Sequence, residues 1–239
     1  MSEGARLVGK TAVVTGASRG IGRVVATRLA AEGARVWALA RSKGALDELA
    51  AEAGVEPVAC DLRDDAATWL ALDEIADRSG GVPDIVVNSA GVFGIESCAT
   101  ETVNGFDAQL HVNLRAPFLV IRAVLPGMLE RGSGTVVSIG SVAGRKAFPG
   151  NAAYSASKYG LRGLHEVLVE ELRGTGVRAT LVEPAATDTE LWDPLDPEQN
   201  PELPSRTDML RPEDVADAVL FAVTRPEGVI VPVLQVERG

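Results

Sequence analysis

The sequence predicts a doubly wound α/β fold in which a parallel sheet carries helices on both faces. Three observations carry this. Short apolar runs alternate with amphipathic stretches along all 239 residues. Runs such as Ala12–Thr15 (AVVT) and Ile85–Asn88 (IVVN) are apolar without alternation, as strands covered on both faces should be. The first run ends in Gly16-Ala17-Ser18-Arg19-Gly20-Ile21-Gly22, and a helix opens there. A strand, a glycine-rich turn and a helix together aim backbone N–H groups and a helix N-terminus at a phosphate.

Each element follows from a local signal. Lys10–Thr15 is the first strand, and Ile21, Val25 and Leu29 mark one face of the helix running to about Glu32. Arg35–Ala40 is the second strand, and Ser42 caps a helix over Lys43–Ala53. Val55–Cys60 is a third strand, followed by a helix over about Asp64–Arg78. Asp84–Asn88 is the fourth and runs into Asn88-Ser89-Ala90-Gly91. A long helix spans about Gly105–Arg131, with Pro117 as its expected kink. Gly134–Ile139 is the fifth strand, Ala152–Arg173 a helix and Arg178–Val182 the sixth strand. Pro212 starts the last helix at its first position, with Glu213 and Asp214 in the first turn as the helix dipole favours. Gly228–Val236 is a strand or extended tail. The stretch Thr187–Leu210, with four prolines, is too long for a routine connection and reads as a lid over a site. No repeat or linker divides the chain, so one domain is expected over residues 1–239.

Composition narrows the function. A net charge of −10 argues against nucleic acid or an anionic membrane as the main partner. Met1–Lys10 lacks the apolar segment of a signal peptide, and no uninterrupted apolar run approaches the ~18 residues of a membrane span. Cys60 and Cys98 form no C-x-x-C pair and read as reduced thiols of a cytoplasmic protein. With His111 and His165 as the only histidines, no metal site is expected.

The chemistry centres on Tyr154-Ser155-Ala156-Ser157-Lys158, with Ser141 upstream. Residues four apart on a helix share a face, which sets an ammonium beside a phenol. A nearby cation favours the phenolate and fits a tyrosine for moving protons to or from a substrate oxygen. Ser141 would donate a hydrogen bond to the same oxygen. The glycine loop, Arg41, Asp61, Asn88, Ser141 and the loop after Val182 all lie at or just past strand ends, which share one edge of a parallel sheet.

Over nearly its whole length the sequence resembles the short-chain dehydrogenase/reductase family. Thr15–Gly22 matches its T-G-x-x-x-G-x-G loop, and Asn88–Gly91 resembles its N-N-A-G turn, with Ser89 replacing the second Asn. Asn113, Ser141, Tyr154 and Lys158 match its tetrad, and Pro184-Ala185 stands where Pro-Gly is usual, followed by Thr187 and Thr189. The resemblance implies a Rossmann-type fold, with Tyr154 as general acid or base. It implies that Lys158 lowers the tyrosine pKa and binds the nicotinamide ribose, that Ser141 orients the substrate oxygen, and that Asn113 anchors a proton-relaying water. Without the family match, Asn113 reads equally as a helix-bend residue.

The cofactor would lie on Gly16, Ser18, Arg19, Gly20, Ile21 and Gly22, then against Arg41, Asp61 and Leu62, then Asn88, Ala90 and Gly91. Tyr154, Lys158, Pro184, Thr187 and Thr189 would hold its nicotinamide end. An acid after the second strand would select NAD. Here Ala38–Ser42 has none, and Arg41 with Arg19 is placed to grip a 2′-phosphate, so the expected cofactor is NADP(H). Val142, Phe148, Phe93, Leu191 and Trp192 would line a pocket for a partly apolar aldehyde, ketone or hydroxy acid. Arg145 and Lys146 read either as attractors of a substrate carboxylate or as solvated charges. Alternatives from other classes are a 3-oxoacyl-thioester reductase and a non-catalytic NADP-binding sensor. A homodimer or homotetramer is expected by family analogy.

Overall fold

A computed structural model describes residues 5–239. The first four residues of the Met1–Lys10 stretch, and so the start of the expected 1–239 domain, lie outside them. Seven strands form one sheet in the order β3-β2-β1-β4-β5-β6-β7, and every neighbouring pair is parallel. They are β1 Thr11–Thr15, β2 Arg35–Ala40, β3 Glu56–Ala59, β4 Ile85–Asn88, β5 Gly134–Ile139, β6 Val177–Pro184 and β7 Val233–Val236. The helices are α1 Gly20–Ala31, α2 Lys43–Ala53, α3 Asp65–Ser79, α4 Val103–Leu110, α5 Ala116–Arg131, α6 Ala152–Glu171 and α7 Pro212–Val223.

The two faces of the strands feed two cores. Ala12 and Val14 of β1 pack with Val25 and Leu29 of α1 and with Val215 and Val219 of α7. Val13, Trp37 and Val86 face the other way, onto Ile75 of α3 and onto Val120 and Val124 of α5. Strands buried on both sides explain the uninterrupted apolar runs. Helix ends follow their caps. Ser42 accepts from the Ala45 N–H and Asp64 from the Ala67 N–H, while Gly54 and Gly80 close α2 and α3 in the left-handed conformation.

Two boundaries depart from the expectation. The helix foreseen over Gly105–Arg131 starts at Val103 and is broken before Pro117: His111–Arg115 forms a wide π turn joining α4 to α5. Pro117 sits at the N-terminus of α5 and has no N–H, so the preceding turn loses one helical donor where it widens. An 18-residue window within Val103–Arg131 has a mean hydropathy of 1.4, long and apolar enough to cross a membrane on composition alone. Here its apolar side lies on the sheet through Val120, Val124 and Met128.

The Thr187–Leu210 segment is built, not loose. Thr187 pairs with Leu210, and Asp188 N–H donates to the Leu210 carbonyl at 2.8 Å, which fastens the two ends together. Arg206 then spans the interior, donating to Asp188 and Asp193, each at 2.6 Å.

Candidate active site

At the carboxyl edge of the sheet, a cavity of about 670 Å³ lies where the strand order turns from β1 to β4. Its floor is the glycine loop. Gly16 and Gly20 have φ of 68° and 52°, which favours glycine. A Cβ on Gly16 would meet the Ala90 backbone at 2.6 Å, and one on Gly22 would meet the Gly16 carbonyl oxygen at 2.4 Å. The loop therefore packs directly on the Asn88–Gly91 turn. Thr15 completes that joint by accepting from the N–H groups of Ser89 and Ala90, both at 3.1 Å.

Ser18, Arg19 and Ile21 line this cavity with the glycines. Arg41, Asp61 and Leu62 line its far side, Ala90 and Gly91 its back, and Thr189 and Leu191 its lid side. The Arg19 and Arg41 side chains make no hydrogen bond or ion pair among the described residues, although the Arg41 charge acts on Asp61, so both guanidiniums remain available to an anion. Asp61 is also engaged within the chain. Arg63 grips it from Nε and Nη2, and those hydrogen bonds hold its carboxyl below the usual range. Arg63 lines the same cavity and was not foreseen. Its only signal was its place two residues after Asp61. Glu190 was missed too: its carboxylate lies over Gly20.

The remaining candidates gather beside this cavity. Asn88 lies beneath it, its Nδ2 donating to Ser138 Oγ at 3.5 Å. Asn113 stands in the wide turn and is fully buried. Its side chain accepts from Val92 N–H at 2.9 Å and donates to the Val92 carbonyl at 2.9 Å and to Ser157 Oγ at 3.0 Å. These bonds engage both ends of the amide, so a water role for Asn113 would fall to its carbonyl. Ser157 in turn donates to the Tyr154 carbonyl at 2.7 Å, a support not read from the sequence although it lies inside Tyr154–Lys158.

Tyr154, Ser141 and Lys158 converge. Ser141 accepts from Ala143 N–H at 3.1 Å, and its hydroxyl favours the phenolate of Tyr154. Lys158 is buried and donates to the Ile139 carbonyl at 2.9 Å. Its ammonium lies 5.6 Å from the Tyr154 ring centroid. Burial pulls the Lys158 pKa down to about 8. Burial also pushes the Tyr154 phenol up to about 12, against the opposing hydrogen bond from Ser141. Desolvation is the larger influence on the phenol in this arrangement, and the Lys158 ammonium is directed at the Ile139 carbonyl.

Pro184 ends β6, and Thr187 returns its hydroxyl to the Ala185 carbonyl at 3.0 Å. Phe93 meets Tyr154 edge-on at 4.7 Å between centroids and meets Trp192 at 5.0 Å. The Thr187–Leu210 segment thus reaches the phenol through one shared ring. Val142 begins the short turn after Ser141. Phe148 lies under the Lys146 ammonium, at 5.4 Å. Arg145 is partly exposed and pairs with Glu237, with its Nε 3.7 Å from the Glu183 carboxylate.

A sequence model of the short chain dehydrogenase family matches residues 10–200. The chain belongs to this family. It is 36% identical over 225 residues to D-threitol dehydrogenase of Mycolicibacterium smegmatis, covering 90% of this chain and 86% of that protein. It is 39% identical over 239 residues to glycine betaine reductase ATRR of Emericella nidulans, covering 97% of this chain but spanning only 19% of that protein's length. A solved closed form of serine dehydrogenase complexed with NADP+ superposes with a TM-score of 0.88 at 32% identity, over 94% of this chain and 93% of that one. The short-chain dehydrogenase described here is therefore an oxidoreductase that binds NADP(H) and acts on the alcohol or carbonyl group of a small molecule. The glycine floor and the two unpaired guanidiniums fit that cofactor.

Proposed function

We propose that this enzyme reduces the carbonyl of a small, partly apolar aldehyde, ketone or oxo acid, or oxidises the matching alcohol, with Tyr154 as its general acid or base. The observation that carries this reading is the meeting of Ser141, Tyr154 and Lys158 under the Phe93–Trp192 pair. The nicotinamide, when bound, supplies or accepts the hydride. Tyr154, with its pKa near 12, is neutral at pH 7 and so holds the proton a reduced carbonyl oxygen needs. Ser141 donates to that oxygen and fixes its position. Lys158, with its pKa near 8, holds a proton that leaves readily near neutral pH and can reload Tyr154. Arg41 and Arg19 grip the 2′-phosphate, the glycine loop and the N-terminus of α1 take the pyrophosphate, and Pro184, Thr187 and Thr189 frame the nicotinamide. Val142 and Trp192 border the reacting carbonyl, and Phe93 excludes water from it.

Relatives named for threitol, serine and glycine betaine support a small substrate. We place the enzyme in the cytoplasm, in keeping with its two free thiols, Cys60 and Cys98. We further infer a homo-oligomer, because Phe118 of α5 with Tyr159 and Val167 of α6 leave apolar surface exposed.

The test is oxidation of NADPH and NADH against aldehydes, diketones, 3-oxo acids and 3-oxoacyl thioesters, with Tyr154→Phe alongside. NADPH turnover should fall by roughly 10²–10⁴-fold in the variant while NADPH binding holds. Turnover that survives in Tyr154→Phe would refute the acid–base role. Activity confined to thioesters would select the biosynthetic reductase, and tight NADPH binding without any turnover would select the sensor.

A further inference from the structure

Behind the candidate site lies an ion network with no role so far. Glu183, immediately before Pro184 on β6, is 0% exposed. Arg162 of α6 donates to both its carboxylate oxygens, at 2.8 and 2.9 Å. Arg145 Nε lies 3.7 Å from Glu183 Oε2, and Arg145 Nη2 donates to Glu237 in the segment past β7. Arg162 also donates to Glu166, at 2.9 Å. A buried carboxylate is costly unless paired; Arg162 supplies its hydrogen bonds, and Arg145, whose Nε is buried without a hydrogen-bond partner, adds a second cation as an ion pair.

Each partner stands on an element that carries a candidate catalytic group. Arg162 lies one turn past Lys158. Arg145 ends the short turn that Ser141 begins. That turn is also held sterically at both sides. A Cβ on Gly140 would stand 3.2 Å from Glu183 Cγ, and one on Gly144 would stand 2.9 Å from the Lys158 carbonyl oxygen. The backbone around Ser141 is therefore wedged between Glu183 and α6, and Arg145 ties its end to the same carboxylate.

We propose that Glu183 and Arg145, with Glu237 as the outer anchor, are positioning residues that set the Ser141 hydroxyl against the Tyr154 phenol. Through them the segment past β7 governs the geometry of a site that it does not touch. The proposal rests on the reading of Ser141 and Tyr154 as the reacting pair.

The chain has only two tyrosines, so ¹³Cζ-tyrosine NMR reports the contact without any substrate. Tyr159→Phe assigns the Tyr154 resonance, and Ser141→Ala marks its position when the contact is lost. In Arg145→Met the resonance should move at least halfway to the Ser141→Ala position. With the best substrate, kcat should fall about tenfold while KM for NADPH stays within about twofold. Arg145→Lys should restore most of both. Glu237→Gln, at the exposed end, should move both in the same direction by about a third as much. A Tyr154 resonance unmoved in Glu237→Gln and in whichever Arg145 variants fold would overturn the proposal, whatever happens to Tm. No movement in Ser141→Ala itself would overturn both the proposal and the contact beneath it. Failure of the substrate panel leaves the NMR result decisive, so the two readings fail separately.

Discussion

Lys158→Met should change the pH dependence of stability in a way that follows from burial alone. The folded pKa of Lys158 is depressed from 10.5 to about 8 by burial. A lysine with a depressed folded pKa is charged in both states below pH 8, and there the fold bears the full desolvation cost. Between pH 8 and 10.5 only the unfolded chain holds the proton, so stability rises with pH. That separation corresponds to roughly 3 kcal/mol, of which about 2 kcal/mol is recovered between pH 7.5 and pH 10. Met has similar length and does not titrate. It leaves the Ile139 carbonyl without its donor, at a cost of about 1–3 kcal/mol, but that cost does not depend on pH. The assay is urea unfolding of the cofactor-free protein at several pH values and one protein concentration. Wild type should gain about 2 kcal/mol relative to Lys158→Met from pH 7.5 to pH 10. A difference that stays flat within about 0.5 kcal/mol would refute the assignment of a desolvated ammonium.

Two further perturbations probe the cofactor and the lid. Arg41→Asp should lower kcat/KM with NADPH by about 10- to 100-fold while changing NADH use less than about threefold, because only NADPH carries the phosphate it grips. Equal losses would remove Arg41 from the phosphate site. Arg206→Ala removes the donor that joins Asp188 to Asp193, so amide exchange across residues 187–210 should quicken by roughly threefold with little change in Tm. Exchange that stays unchanged there would mean that the Thr187–Leu210 pairing alone holds the lid.

The parts of this molecule legible in the sequence are those set by local chemistry. Ser42 and Gly54 delimit α2 at the expected residues because a cap and a left-handed glycine act within one turn. The glycine loop was legible because close approach leaves no alternative residue at Gly16 and Gly22. What was not legible depends on partners distant in sequence. The Tyr154–Lys158 spacing placed a cation near a phenol, but it did not show that the ammonium is directed at Ile139, nineteen residues away, or how deeply the phenol is desolvated. Arg145 offered a charge beside the site and nothing to show that Glu183 and Glu237 had claimed it. Pro117 signalled a break in the long helix correctly but displaced by a few residues, since a missing N–H is felt by the preceding turn. In each case the residue type was informative and the direction of its side chain was not. Direction is what separates a group free to meet a ligand from one held by the framework, and the Arg145 guanidinium is turned toward Glu183 and Glu237.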